Sequence, residues 1–467
     1  MSSPKFRNLS SESKSLVLIE FVFFAGAFLL AIYFDNLLAF SEHALVAINV
    51  LFIYALLFSL IVQLSFLSLG LYNSKLRENF RGVVRRILLS NAVGFSIVSF
   101  LNSIYEPHAL PFQILVVASV FSFLVAMTLR YLAFKINFGG LNKRRILVVG
   151  AGERSSIIEQ RMRRDVDRQN FQVHAFMVMK GDSENGIVNE NKIHLKGSLV
   201  TYALENDIDE IVIASDERRN NLPVDELFAC KIRGIEITEI LDFIERETGQ
   251  IAVNLIYPSW VIYSNGFASI NYLRNTLDWI FNAIMALIVL LLTWPFMILT
   301  ALFIKLEEGL KAPVFYTQER VGVDGEPFNI IKFRSMRMDA EKYGAQFASE
   351  NDPRVTKTGN VLRKYRIDEL PQLYNVIRGE MGFVGPRPER PEFVQQLIKS
   401  IPYYNERHNV KPGLTGWAQL KYPYGATEAD SLEKLKYDLY YIKHRSFLLD
   451  LLILVRTVEI VLFGKGR

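Results

Sequence analysis

A single cysteine, Cys230, stands in 467 residues. No disulfide can form within the chain, which excludes a disulfide-stapled secreted framework and fits a reducing compartment. Net charge is small as well: 53 Lys and Arg face 48 Asp and Glu, a formal +5. So mild an excess does not argue for nucleic acid, and no such partner is expected. The opening MSSPKFRNLSSESK lacks a small-residue cleavage site after the first apolar run. That run is therefore expected to stay as a helix and not to be removed as a signal. What is abundant is apolar side chain. Hydrophobic residues make up 50% of the sequence, which points to membrane segments beside a soluble part.

Four apolar stretches come first, at 16–34, 44–70, 87–105 and 110–134. The first would run about 28 Å as a helix, roughly one hydrocarbon thickness. Lys and Arg are missing from the loop that holds Asp35 and Glu42, and from the loop that holds Glu106. They fill the other connections: Lys5, Arg7 and Lys14 precede the first span, and Lys75, Arg77, Arg81, Arg85 and Arg86 lie between the second and third. Lys135, Lys143, Arg144 and Arg145 follow the fourth. Positive residues mark the cytoplasmic side, so the N-terminus and everything from 135 onward are expected inside. Arg130 is expected to snorkel from near a helix end.

Residues 143–250 read differently. Arg145–Val149 has the look of a buried strand, followed by Gly150-Ala-Gly152 and a helical run to about 168. Further strands are expected at 171–179, 208–215 and 235–240, with helices at 198–206 and 223–233 between them. Such alternation implies a parallel α/β sheet. The third glycine position of a dinucleotide turn holds Ser155, so cofactor binding and a structural or regulatory role both stay open. Residues 251–276, with Pro258 and Gly266, form a connector.

The densest chemistry lies in residues 358–388, TGNVLRKYRIDELPQLYNVIRGEMGFVGPRP. Leu370, Leu373, Tyr374 and Ile377 recur with helical period. Pro371 fits only a first turn, so the helix is expected to begin near Asp368 and to stop at Gly379. Asp368 and Glu369 then sit at a helix N-terminus, where the dipole favours anions. Arg363, Lys364 and Arg366 precede them; Arg378, Arg387 and Arg390 follow. The set suits a carboxylate nucleophile in a phosphate-binding basic cluster, while Asp368 as a plain N-cap suits it as well. Gly-Pro-Arg-Pro at 385–388 is a stiff loop that carries Arg387.

The run Asp368-Glu-Leu-Pro-Gln-Leu, then Asn375-Val, Gly379-Glu-Met and Val384-Gly-Pro-Arg-Pro388, resembles the signature of bacterial polyprenyl-phosphate hexose-1-phosphate transferases. These are the large monotopic phosphoglycosyl transferases that begin exopolysaccharide and O-antigen assembly. Gly382 departs from the Ser that the family usually has. Phe315–Gly322 and Phe328–Met336 read as two short strands about a Gly325 turn, with Lys332 and Arg334 on one face. Lys332-Phe-Arg-Ser-Met resembles a family block that implies contacts to the sugar-nucleotide phosphates. Asn351-Asp-Pro-Arg354 resembles another, with Arg354 a candidate for the same task. Residues 143–250 resemble the Rossmann-like module of long family members.

Residues 277–304 are long enough for a fifth span, but Pro295 removes a helical donor. A full crossing would also carry Asp368 outside, away from nucleotide substrates. A helix–break–helix hairpin is expected instead, entering and leaving by the cytoplasmic leaflet. The resemblance implies the same re-entrant element, broken at Trp294-Pro295. Helical runs at 430–443 and 446–463 close the chain. The second keeps Asp450, Arg456 and Glu459 among apolar residues and reads as an interfacial helix, with packing against the hairpin as the alternative. His408 reads as structural.

The expected fold is a multi-pass membrane protein of mixed α and α/β class. It has four transmembrane helices (1–142), a cytoplasmic Rossmann-like domain (143–250), the connector (251–276), and a re-entrant helix with a small α/β catalytic domain and interfacial helices (277–467). The resemblance implies transfer of hexose 1-phosphate from a UDP-hexose to undecaprenyl phosphate, with UMP released, at the cytoplasmic face of the bacterial inner membrane. It implies Asp368 as nucleophile and Glu369 as its helper, both near Mg²⁺. It gives Lys332, Arg334, Arg354 and Arg387 to the phosphates or nucleotide, the lipid bilayer as a partner, and a homodimer as a family-level expectation. Two rivals differ in class. A membrane-bound nucleotide-sugar dehydratase or epimerase needs a Tyr-x-x-x-Lys, and Tyr131–Lys135 is the only match, upstream of the sheet. A scaffold that lost its chemistry would not need the Asp368-Glu369 pair.

Overall fold

The computed structural model describes residues 9–38, 48–68, 71–72, 80–104, 110–135, 143–162, 168, 171–183, 186–187, 191–195, 197–217, 221–257, 260, 264, 266–267, 272–338, 340, 352–422, 425 and 427–462. Several charges used above (Lys5, Arg7, Glu42, Lys75, Arg77, Glu106) lie outside them, as do Pro258 and Asn351. The chain forms two compact units, Met1–Thr248 and Gly249–Arg467.

The first unit opens with four helices: α1 (Leu9–Leu38), α2 (Ile48–Ser68), α3 (Phe80–Ile104) and α4 (Phe112–Lys135). Helix α1 packs on α2 and α4, and α3 packs on the same two. Phe24, Phe28, Phe58, Phe66, Ile87 and Leu115 fill the interior, while Leu18, Val22, Phe23, Leu57 and Leu64 face outward. The polar groups point the other way. Glu20 is wholly buried, and Arg130 comes to it with Nε 3.1 Å from Oε1. Large apolar side chains outside and ionisable ones inside is the patterning of a membrane protein. Arg130 therefore corrects one expectation. It does not snorkel outward; it pairs with Glu20 and donates to the Leu71 carbonyl at 3.0 Å, because an inward carboxylate on α1 outweighs the pull of the interface. Among the described residues, the helices long and apolar enough to cross a membrane are α1, α3, α4 and the helix at 272–308; the apolar part of α2, Leu51–Leu67, is shorter.

The same unit contains a five-stranded parallel sheet. Its strands are β1 (Arg144–Val149), β2 (Phe171–Met177), β3 (Lys192–Ile193), β4 (Glu210–Ile213) and β5 (Glu236–Glu239), in the order β3-β2-β1-β4-β5. Helices α5 (Glu153–Arg161), α6 (Leu199–Glu205), α7 (Val224–Ile232) and α8 (Ile240–Thr248) connect and flank them. Ile146 to Val149 are fully buried, which is why β1 reads as an unbroken apolar run. Cys230 is buried in the cluster with Leu147, Leu199 and Leu227.

The second unit begins with α9, Tyr272–Glu308, a 37-residue helix with Pro295 inside it. The expected division into two helices at Trp294-Pro295 is corrected here, since helical backbone continues past the proline. Pro295 has no N–H for the Leu291 carbonyl, but long membrane helices tolerate one such loss. Then come the antiparallel pair β6 (Phe315–Val321) and β7 (Pro327–Phe333), α10 (Lys357–Lys364), a 3₁₀ segment (Ile367–Gln372) and α11 (Leu373–Ile377). The rest comprises β8 (Gly382–Val384), α12 (Pro391–Ser400), β9 (Gly413–Thr415), α13 (Trp417–Lys421), α14 (Glu428–His444) and α15 (Phe447–Leu462). Strands β8 and β9 pair in parallel.

Helix α9 is fastened to this unit at both ends. Near its start, Asn282 Oδ1 accepts from Phe383 N at 2.9 Å and Asp278 pairs with Arg445 at 2.7 Å. At its end, the Glu307 carboxylate accepts from Lys357 N and Thr358 N, each at 2.8 Å, and so caps α10. Between these points Ala286 packs with Leu373, Val376 and Met381, and Ile304 with Phe333 and Leu362. Leu291, Leu292, Trp294, Phe296 and Ile298 stay exposed. Helix α15 packs on β8 and β9. Phe447 meets Phe281 of α9 at 5.5 Å between ring centres, and Asp450 accepts from Tyr441 Oη at 2.8 Å.

Candidate active site

Helix α10 ends at Lys364, and Arg366 turns the chain with φ 53° and ψ 25°. Left-handed backbone at a non-glycine residue costs on the order of 1 kcal/mol. It is held by its own consequences: Glu369 N closes on Arg366 O at 3.2 Å, and the Arg366 guanidinium reaches Glu369 Oε2 at 3.6 Å and Gln419 Oε1 at 3.3 Å. The helix expected to begin near Asp368 opens as this 3₁₀ turn at Ile367 and becomes α-helix only from Leu373. Pro371 lies inside the turn, where its missing N–H matters little. The N-cap reading of Asp368 fails too, because no side-chain cap bond opens this turn.

Asn375 fixes the turn against β7. Its Oδ1 accepts from Ile331 N at 3.2 Å, and its Nδ2 donates to Asn329 O at 2.8 Å and to Glu380 Oε2 at 2.7 Å. Lys332, next along the strand, then stands with Nζ 3.6 Å from Glu369 Oε1. From the opposite side Arg387 Nη2 donates to the same oxygen at 2.9 Å. The Gly-Pro-Arg-Pro loop that carries Arg387 is clamped by close backbone approach. Gly385 N donates to Thr415 O at 2.9 Å, and a Cβ on Gly385 would stand 2.3 Å from Lys411 O. Behind it, Arg407 Nη2 donates to the Arg387 carbonyl at 2.9 Å and to Asp438 Oδ2 at 2.9 Å.

The two adjacent carboxylates are thus treated in opposite ways. Burial alone would raise the Glu369 carboxyl, but Arg387, Lys332 and Arg366 outweigh it and hold it far below the usual range. Asp368 is raised, by burial first and then by the charge of Glu369, against the pull of Lys332, Arg363 and Arg387. Among the described residues, no hydrogen bond or ion pair engages the Asp368 side chain. A pair whose environments push the two pKa values apart is the pattern expected of two carboxylates with separate tasks.

The structure brings Asp368, Glu369, Lys332 and Arg387 together. The other two expected cations make contacts of their own. Arg334, one residue beyond β7, donates from Nε to the Pro313 carbonyl at 3.0 Å and lies over Tyr316. Arg354 forms a two-pronged pair with Asp352, at 2.8 and 2.6 Å, and keeps that carboxyl near 2. Sequence reasoning did not single out Asn375 or Gln419, and treated Arg366 only as one of several neighbouring charges; the motif that quotes Asn375 was the available signal. Trp294 is exposed on the apolar side of α9.

Mg²⁺ was expected on Asp368 and Glu369. Among the described residues, no three His, Cys, Asp or Glu side chains gather into a metal cage. Two neighbouring carboxylates with one of them unpaired do fit Mg²⁺, which typically keeps waters and takes one or two carboxylates plus substrate phosphate oxygens.

A family model described as bacterial sugar transferase matches residues 273–464. A sugar transferase of Bacillus subtilis (strain 168), EpsL, is 39% identical over 191 residues, and the match covers 88% of it and 40% of this chain. The chain belongs to the bacterial sugar transferase family. Within that family it is 40% identical over 240 residues to the UDP-N-acetylgalactosamine-undecaprenyl-phosphate N-acetylgalactosaminephosphotransferase of Aeromonas hydrophila, covering 51% of this chain and 55% of that one. It is 32% identical over 345 residues to the undecaprenyl-phosphate glucose phosphotransferase of Komagataeibacter xylinus, covering 69% and 60%. The chain therefore spans little more than half the length of these two relatives. The family match takes in all of α9 but its first residue, the Asp368-Glu369 turn and every cation around it.

Proposed function

We propose that this sugar transferase moves hexose 1-phosphate from a UDP-hexose to undecaprenyl phosphate at the cytoplasmic face of the bacterial inner membrane, and so starts assembly of an exopolysaccharide or O-antigen. The observation that carries the reading is the unpaired, buried Asp368 carboxylate beside a Glu369 clamped by three cations. Relatives named for transfer of sugar phosphates to undecaprenyl phosphate support it.

In the first step an Asp368 oxygen attacks the sugar-bearing phosphorus. The bond from that phosphorus to the bridging oxygen breaks, and UMP leaves with the electron pair. Asp368 is suited to this because burial and Glu369 leave its charge poorly compensated, while Lys332 and Arg387 stand ready to offset the phosphate charge that arrives. In the second step a phosphate oxygen of the lipid attacks the aspartyl phosphosugar. The acyl-phosphate bond breaks and the carboxylate is restored. Bound at the pair, Mg²⁺ would supply charge neutralisation of the diphosphate. Glu369 gathers Arg387, Lys332 and Arg366 about the reacting group and gives Asp368 a fixed neighbour.

The anchoring of α9 supports the sidedness of this reading. Its two ends are held by the same unit, so a passage that put them on opposite sides of a membrane would pull that unit apart. This supports an element that meets the bilayer from one leaflet and keeps the site at headgroup depth. Single cysteines at Asn275 and Leu310, probed with a membrane-impermeant maleimide, are expected to label from the same side; opposite sides would contradict the assignment.

Lys332 sets a pH limit. Burial pushes its ammonium down, against the opposing charge of Glu369, to about 8. A folded pKa below the ordinary value means that the fold disfavours the charge, and that this penalty fades as pH rises above 8. The same rise removes a phosphate-binding cation. The KM for the UDP-sugar is therefore expected to climb above pH 8, with the limb moved to higher pH in Lys332→Arg. A limb unmoved by that change would count against Lys332. The function itself is tested by product analysis. Purified protein in nanodiscs with Mg²⁺ and undecaprenyl phosphate should release UMP from one of a panel of UDP-sugars. UDP as the product would mean ordinary glycosyl transfer and a different mechanism.

A further inference from the structure

The parallel sheet of residues 144–248 has the strand order 3-2-1-4-5 and a Gly-Ala-Gly turn after its first strand. In dinucleotide-binding proteins with this topology the amides that open the next helix hold a pyrophosphate. Here those amides are already taken by the chain itself. Asp216, beyond the end of β4, turns its carboxylate onto the start of α5: Oδ2 accepts from Glu153 N at 3.0 Å and Oδ1 from Arg154 N at 2.9 Å. Ser183 adds its N at 3.1 Å and its Oγ at 2.8 Å to Oδ2. Asp182 repeats the pattern one step upstream, accepting from Ala151 N at 2.8 Å and Met179 N at 2.9 Å.

The space is filled as well. A Cβ on Gly152 would stand 1.9 Å from Asp216 Oδ2, and one on Gly186 would stand 2.0 Å from the Ala151 carbonyl. Buried Ile187 donates its N to that same carbonyl at 3.2 Å. The glycine that would admit a phosphate in a dinucleotide site admits a carboxylate of the protein instead. Burial raises the Asp216 carboxyl, but the donors from Arg154, Ser183 and Glu153 outweigh it and the net shift is downward, so the group is anionic at neutral pH. A phosphate brought to the turn would meet two carboxylates where the Ala151, Glu153 and Arg154 amides would otherwise receive it.

We propose that Asp216 is a built-in substitute for a phosphate, and that this module is a closed protein part that takes no dinucleotide at the turn between β1 and α5. The inference stands apart from the transferase reading, since it rests on other residues. It also removes the nicotinamide chemistry that a dehydratase or epimerase would need at that turn.

The test is hydrogen exchange of the full-length protein in nanodiscs, with NAD⁺ and, separately, inorganic phosphate. In the wild type, amides 151–156 should show no added protection with millimolar NAD⁺. In Asp216→Ala the freed amide of Arg154 should become protected by phosphate. Comparison with the wild type in the same buffer cancels any phosphate held by the transferase site. Protection of 151–156 by NAD⁺ in the wild type would overturn the proposal. So would a folded Asp216→Ala protein that gains no phosphate protection there. Should that variant fail to fold, the wild-type measurement with NAD⁺ decides alone.

Discussion

Asp368→Asn is expected to abolish sugar-phosphate transfer, by about 10³-fold or more, and to leave the protein at least as stable as before. Nearly the same shape is kept, and only the nucleophilic oxygen is lost. Among the described residues the Asp368 side chain makes no hydrogen bond or ion pair, so the amide breaks none. Its raised pKa says that the fold disfavours its charge, and a neutral amide removes that cost. A structural cap would behave otherwise: Asn caps as well as Asp, so activity would survive. UMP release beside a thermal unfolding curve separates the cases, and near-normal turnover would refute the nucleophile.

Glu369→Gln is expected to lose both activity and stability, which sets it apart from its neighbour. Arg387, Lys332 and Arg366 lie 2.9, 3.6 and 3.6 Å from its carboxylate. Without it three cations face each other in a half-enclosed site. Removing one partner of a fully buried pair costs about 3–5 kcal/mol, and partial exposure of the guanidiniums lowers this to about 2 kcal/mol here. Because its carboxyl is held far below the ordinary range, Glu369 contributes stability that is complete at neutral pH and is lost as pH falls through the acid range. The Gln variant should therefore show a lower melting temperature at pH 7 and a shallower decline towards acid. Its Mg²⁺ dependence should change too; an unchanged metal profile would count against a metal role for Glu369. Equal stability of variant and parent at pH 7 would contradict the clamp.

These two carboxylates also show where sequence reading succeeds and where it stops. Asp368 and Glu369 are visible as a pair with basic residues around them, because that signal is local. Their opposite treatment is not visible, since it depends on Lys332 across a strand and on Arg387, 18 residues downstream. The same limit hides the partners of Arg334 and Arg354. Both are cations in the right blocks, yet the first is captured by the Pro313 carbonyl and the second by Asp352 two residues away. Apolar length and strand–helix alternation made α1 to α4 and four of the five parallel strands legible; β3, at two residues, carries no periodic signal. Pro295 was read as a break because an isolated helix interior rejects proline, while a 37-residue helix continues through it. Arg130 reads as a snorkelling residue when its own helix is taken alone, because its partner Glu20 lies in another span.

The most direct measurement of the central claim is the mass of the protein itself. Purified transferase is incubated with its UDP-sugar and Mg²⁺ but without lipid phosphate, denatured, and weighed intact and after digestion. A hexose-phosphate adduct on the peptide containing Asp368, matched by released UMP and discharged when undecaprenyl phosphate is added, is the predicted result. Unmodified protein that releases UMP only when the lipid phosphate is present would mean direct transfer between substrates, and would contradict Asp368 as a covalent carrier.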